Sequence, residues 1–157
     1  MDPARTEQGV SFEWFFQTTE PGLRYSLIAV FGVEDGRDAA AHALLYGYEN
    51  WGRLQEMANP AGYLYRVGRT WGTRNSRRPK ALPPVNENRE PWVEPGLPGA
   101  LALLPEQQRV AVVLRHGCDW DYDQIGDCLG ISLPSARKSV ERGLARLRVE
   151  LEVSDES

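Results

Sequence analysis

Cysteine and histidine are both scarce in this chain, with two of each in 157 residues. Cys118 and Cys128 have His116 nearby, but their spacing matches no common zinc pattern, so they read as small core or boundary residues, reduced in the cytoplasm. His42 stands apart, with no serine, cysteine or carboxylate that the sequence links to it. Nucleophile elbows, phosphate loops and metal-binding signatures are missing, so neither a cofactor nor catalysis is expected. No apolar run approaches the roughly 20 residues of a membrane span, and the start MDPARTEQGV lacks the basic and apolar blocks of a signal peptide. A cytoplasmic protein without a membrane span is expected. Internal repeats and low-complexity tracts are absent too.

Acidic residues are missing from one stretch in particular. Residues 1–62 carry four Arg against nine acids, a net of −5, whereas residues 63–80 carry Arg66, Arg69, Arg74, Arg77, Arg78 and Lys80 with no acid, a net of +6. This asymmetry says more about partners than the overall −4 does. The chain's hydrophobic (41%) and charged (25%) fractions are those of a globular protein rather than a disordered one.

The apolar spacing predicts helices throughout. Residues 1–10 are polar and expected to fray. Ser11 can cap a helix opening on the aromatic run SFEWFF; Pro21 and Gly22 are expected to interrupt it before Leu23, Leu27, Ile28 and Phe31 resume a helical face up to Gly32. Asp35 to Arg37 read as a polar turn, and Asp38 as the start of a helix with Leu44, Leu45, Tyr48 and Trp51 on its apolar side. Pro60 favours the start of a further helix, with Tyr63, Leu64, Val67 and Trp71 towards the core and the arginines opposite. Tyr63, Tyr65 and Trp71 among those arginines give the basic surface and aromatic faces that single-stranded nucleic acid needs. Six Pro and two Gly in residues 79–99 exclude a helix or central strand there, and Trp92 could anchor this linker.

From Leu104 to Leu151 the pattern is that of a DNA-reading helix-turn-helix. Pro105 and Glu106 suit a helix start, and Val110, Val113 and Leu114 repeat at helical spacing until Gly117. Asp121 is a plausible N-cap for a short helix carrying Ile125 and Leu129, and Gly130 can supply the turn after it. Ser132 or Ser135 can cap the next helix, in which Ala136, Val140, Leu144 and Leu147 form an apolar stripe. Arg137, Lys138, Arg142, Arg146 and Arg148 face elsewhere against the single acid Glu141. Two short helices joined by a Gly turn, the second basic, match the DNA-binding version of the motif. The tail after Val153 is expected to be disordered.

The runs LPEQQRVAVVLRHG, DYDQIGDCLGIS and SARKSVERGLARLR resemble the fourth conserved region of bacterial sigma factors of the extracytoplasmic-function type. The aromatic first helix, the acidic turn and NPAGYLYRVGRTWGTRNSRR resemble the second conserved region of the same family. The resemblance implies an all-α chain of two small helical domains, residues 1–78 and 98–157, joined by a Pro-rich linker over 79–97. It implies a transcription-initiation factor that binds core RNA polymerase and directs promoter recognition and opening. Its partners would be promoter DNA, core polymerase and an anti-sigma factor. Ser135, Arg137, Lys138 and Arg142 would read the upstream promoter element. Arg66, Arg69, Arg74, Arg77 and Arg78 would hold the melted element, and Asp38, His42, Leu45 and Tyr46 would meet the polymerase. Departures from the family pattern are Ala41 and His42 in place of Gln and an acid, and Thr70 in place of Asn. Gly126 replaces Ala, and Pro134, Ser135 and Ala136 replace Gly-Thr-Val. The first of these keeps two alternatives open: a sigma-like DNA-binding regulator without productive polymerase binding, or an interaction module for an anti-sigma factor.

Overall fold

A computed structural model describes residues 5–6, 9–76 and 97–156. The architecture is helical apart from a short antiparallel pairing of Arg5–Thr6 with Gly9–Val10, where fraying was expected. Helix α1 spans Phe12–Phe31 and starts on the expected cap, the Trp14 N–H donating to Ser11 Oγ (3.3 Å). It runs unbroken through Pro21, contrary to the interruption expected there. The carbonyl that Pro21 leaves without a donor belongs to Gln17, which is exposed and can bond water instead. Gly22 is buried, and a Cβ on it would lie 2.6 Å from the indole of Trp120. The residue therefore serves a packing contact rather than a break.

Gly32, at φ 91°, closes α1, and α2 begins at once, spanning Val33–Glu49. Asp35 to Arg37 are thus the first turn of a helix and not a loop. Glu34 and Asp35 suit that end, where the helix dipole favours negative charge. A short α3 (Trp51–Leu54) leads to α4 (Pro60–Asn75), capped by Asn59 Oδ1 accepting from the Gly62 N–H at 3.0 Å. Leu64 and Tyr65 are the buried residues of its inner face; Tyr63, Val67 and Trp71 are only half-buried. The expected residues do pack on the core, with Leu64 fully buried and Tyr63, Val67 and Trp71 against it, but Tyr65 turns inward as well.

The C-terminal half begins with α5 (Leu97–Ala102) and α6 (Glu106–Val112), and Pro105 stands just before α6 rather than inside it. The last turn widens into a π-helical segment, Val113–Gly117. Helix α7 (Tyr122–Leu129) opens with a complete capping box between Asp121 and Gln124 and closes on Gly130 in the left-handed conformation (φ 71°). Helix α8 spans Leu133–Glu156. Of its two candidate caps, Ser132 accepts the Ser135 N–H (3.2 Å). The acidic tail continues this helix to Glu156, where disorder was expected. The stretch 77–96, with Arg77, Arg78 and Trp92, lies outside the described residues.

One hydrophobic cluster draws on both halves of the chain. Leu23, Leu27, Leu54, Leu64 and Tyr65 share it with Val110, Leu114, Ile125, Cys128, Ala136 and Val140. Leu27, Leu54, Leu64, Leu114 and Ile125 are completely buried, and each stabilises by about 1.5–3 kcal/mol relative to an exposed position. A smaller cluster of Ala100, Leu104, Val112 and Leu147 ties α5 to α6 and α8. No helix among the described residues is long and apolar enough to cross a membrane.

Candidate nucleic-acid interface

The helix-turn-helix is formed by α7, the turn at Gly130 and α8. The Ile131 N–H donates to the Gly126 carbonyl at 2.9 Å, folding the turn back on α7. A Cβ on Gly126 would lie 2.7 Å from the Ile131 carbonyl oxygen, so the glycine at this family departure coincides with a tight backbone approach. The stripe of α8 lies inward as expected, with Ala136, Val140 and Leu147 buried and Leu144 half-buried. Ser139 is buried as well and accepts from Gln107 Nε2 at 2.9 Å, pinning α8 to α6. Ser135, Arg137, Lys138 and Arg142 are all exposed. Ser135 Oγ accepts from the Ser132 hydroxyl (2.9 Å), so its side chain also belongs to the cap. The Arg137 guanidinium sits 5.3 Å from the ring of Tyr122, which Arg115 approaches at 4.7 Å. Lys138 and Arg142, four residues apart, therefore extend outward together, while Arg137 is drawn towards α7.

On α4, Arg66, Arg69 and Arg74 are exposed, and Tyr65 lies in the core beneath them. Burial pushes the Tyr65 hydroxyl well above the ordinary tyrosine range, with the nearby Glu106 carboxylate adding to the effect. Arg69 donates to Glu106 Oε2 through Nε (3.2 Å) and Nη2 (2.7 Å), and this bond raises its affinity for its proton. Arg74 lies in the last turn. Trp71 stacks on His42 with ring centroids 4.9 Å apart and planes 15° from parallel. Tyr63 and Tyr46 bring their hydroxyls to 3.5 Å, and Arg53 Nη2 donates to the Tyr46 hydroxyl at 2.6 Å. The hydrogen bond from Tyr63 and the charge of Arg53 lower Tyr46's pKa, and Tyr63's rises in turn.

The four residues expected at the polymerase divide between two sides of α2. Asp38, His42 and Tyr46, at intervals of four, run along the side that meets α4: Asp38 shares a depression with Trp71, Gly72, Asn75 and Ser76. Leu45 is 56% exposed and belongs to an apolar groove between α1 and α2, with Phe12, Phe16, Ala41, Leu44 and Tyr48. Sequence reasoning missed this groove. The alternation of Ala41, Leu45 and Tyr48 at helical spacing could have pointed to it. It also missed the contacts of Glu106 with Arg69 and of Trp120 with Gly22, whose partners lie far apart along the chain. Cys118 and Cys128 are free thiols, pushed by burial up to about 11 and about 12.

A model of sigma-70 region 4 matches residues 97–147, which hold the helix-turn-helix and the helices that support it. The helix-turn-helix thus lies on a helical protein of the sigma class. The chain is 30% identical to an RNA polymerase sigma-E factor of Streptomyces avermitilis over 157 residues, covering 93% of this chain and 88% of the relative. A sigma-E factor of Streptomyces antibioticus is 31% identical over 147 residues, covering 87% and 78%. In fold, it is similar to the sigma factor RpoE of Bartonella quintana, solved with the anti-sigma factor NepR. The TM-score is 0.66 at 18% identity, covering 90% of this chain and 97% of that one. The chain belongs to the extracytoplasmic-function family of RNA polymerase sigma factors.

Proposed function

We propose that this chain binds core RNA polymerase, directs it to particular promoters and helps open the duplex, with no reaction of its own. The observation that carries the proposal is that one chain holds two different DNA-oriented surfaces. A helix-turn-helix turns Lys138 and Arg142 outward, and a separate arginine-bearing helix, α4, has no acid of its own. A simple repressor needs the first surface and has no use for the second. Residues 1–78 and 98–157 act as two units joined by 79–97. Lys138 and Arg142 read the upstream element, assisted by Ser135 and Arg137 near the helix start. Arg66, Arg69 and Arg74, continued by Arg77 and Arg78, hold the opened strand. Asp38 and Leu45 are the members of the polymerase set with free outward surface. Run-off transcription with purified core polymerase on genomic DNA tests the proposal. Discrete transcripts that depend on this chain support it, and their absence removes it.

A second reading has one specific observation behind it. Ala41 offers no amide, and the His42 ring is already stacked on Trp71. The position where family members place a Gln and an acid thus presents little to a partner. Weak polymerase binding, or function as a target of an anti-sigma factor, follows from that. The complex in which the Bartonella relative was solved is of the latter kind.

A further inference from the structure

The basic face of α8 carries a single acid. From Leu133 to Val149 the charged residues are Arg137, Lys138, Arg142, Arg146 and Arg148, against Glu141 alone. A carboxylate on a surface that meets a polyanion is electrostatically unfavourable, so the direction in which it points decides what it can do. The packing of α8 fixes that direction. Ala136, Ser139, Val140, Gly143 and Leu147 are buried and mark the inner side of the helix. At roughly 100° per residue, the opposite side carries Pro134, Lys138, Glu141 and Ala145, all of them exposed. Glu141 therefore stands in the middle of the outward face and not on its flank.

No neighbour on the protein occupies this carboxylate. Among the described residues it makes no ion pair with any of those cations. Arg137, one turn back, is drawn towards Tyr122, and a cation placed before an acid at i, i+4 is the weaker of the two orders. One turn on stands Ala145, whose methyl group leaves the space beyond Glu141 open. In the free chain water solvates the carboxylate. Once the face enters a groove that water is lost, and a hydrogen-bond donor must replace it.

We propose that Glu141 is a specificity-determining residue that accepts a hydrogen bond from the N4 amino group of a cytosine in the major groove of the upstream element. The inference rests on the reading of α8 as the helix that enters the groove. The choice of base follows from what each base presents there. Guanine shows the acceptors N7 and O6, and thymine the acceptor O4 beside its methyl group; each of these repels a carboxylate. Adenine sets its N6 amino group next to the N7 acceptor, so a carboxylate gains one contact and is opposed at the other. Cytosine alone offers a donor with no acceptor beside it. Lys138 and Arg142 are suited to guanine acceptors, so an acid among them turns a generally basic face into one that demands a cytosine at a fixed offset.

The test selects bound sequences with the full chain from a duplex library with a fully randomised core, comparing wild type with Glu141→Gln and Glu141→Ala. Wild type should enrich one position for cytosine. Glu141→Ala should flatten that position and leave the others as they were. Glu141→Gln should shift it towards adenine, whose N6 and N7 pair with an amide. On labelled duplexes differing only at this base pair, wild type should prefer cytosine by about 5-fold or more, and Glu141→Ala by less than about 2-fold. Glu141 is exposed, so both variants should keep the wild-type circular dichroism spectrum and thermal midpoint. A rise in affinity for every sequence, with all positions unchanged, would mean that phosphates merely repel the carboxylate, and would overturn the proposal. Lys138→Ala separates that result from failure of the underlying reading. If it alters its own position while neither Glu141 variant alters any, α8 reads bases without Glu141. If wild type enriches no sequence at all, α8 does not read DNA, and the inference falls with that reading.

Discussion

Gly36→Ala should destabilise this protein even though alanine is the better helix former. Gly36 is buried in the first turn of α2, where that helix doubles back on α1 after Gly32. A Cβ there would press on the backbone N and Cα of Ile28 and lie 2.8 Å from the carbonyl carbon of Leu27. These neighbours are main-chain atoms inside a helix and have no rotamer to change. Overpacking typically costs about 1–3 kcal/mol, and this site belongs at the top of that range. Helix propensity returns about 1 kcal/mol. The net loss is about 2 kcal/mol, which lowers the Tm of a chain this size by roughly 4–8 °C. Gly52→Ala in α3 is the matched control, because a Cβ there meets nothing within 4 Å. It keeps the propensity gain without the clash and should hold or raise the midpoint. Thermal unfolding followed by circular dichroism reads both. A Gly36→Ala midpoint equal to or above wild type would refute the argument, because it would mean that α1 and α2 part at no cost.

Other expectations follow from the two surfaces and the buried thiols. Lys138→Ala and Arg142→Ala should each cost about 1–3 kcal/mol in binding to the cognate upstream element if they read bases, measured by anisotropy on specific and scrambled duplexes. Arg137→Ala should cost less, because its guanidinium rests on Tyr122. Arg74→Ala should reduce permanganate reactivity of promoter thymines more than it reduces closed-complex binding; equal losses would make Arg74 only a phosphate anchor. Asp38→Arg should lower co-purification with core polymerase through charge reversal, and unchanged recovery would take Asp38 out of that contact. For the thiols, the folded chain holds its protons more tightly than the unfolded one, Cys118 up to about 11 and Cys128 up to about 12. Their contribution is therefore complete below the ordinary thiol value of about 8.5 and is lost as pH climbs through the folded values. Urea midpoints measured from pH 8 upward should fall less steeply in Cys128→Ala than in wild type.

The parts of this fold that the sequence made legible are those governed by neighbours a few residues away. The Asp121–Gln124 capping box, the left-handed Gly130 and the Ser132 cap each consist of a side chain and a backbone group within three or four positions. The stripe of α8 is likewise local, repeating along one helix. Reading failed where a distant residue decided. Pro21 looked like a break, but the helix is held through it by packing in which Gly22 meets Trp120, nearly a hundred positions further on. Tyr65 looked like a stacking platform because arginines surround it in the sequence; in space it lies under Glu106 and beside Cys128. At the candidate site, the exposed basic face of α8 was legible from charge and spacing. The partner of Arg69 was not, because no periodicity links residue 69 to residue 106.

The small cluster of Ala100, Leu104, Val112 and Leu147, backed by Leu97, Leu101, Leu144 and Leu151, contains no residue from the N-terminal half. Its apolar contacts are therefore indifferent to whether that half is in place. A chain with one core that bridges the halves and another confined to one of them has more than one cooperative unit. Amide protons of α5 and of α8 around Leu147 should exchange through a different opening from those of α1 and α4. Under mild denaturant the molecule should pass through a species in which the bridging core has dissolved while the C-terminal helices persist. Calorimetry would then record a van't Hoff enthalpy below the calorimetric one.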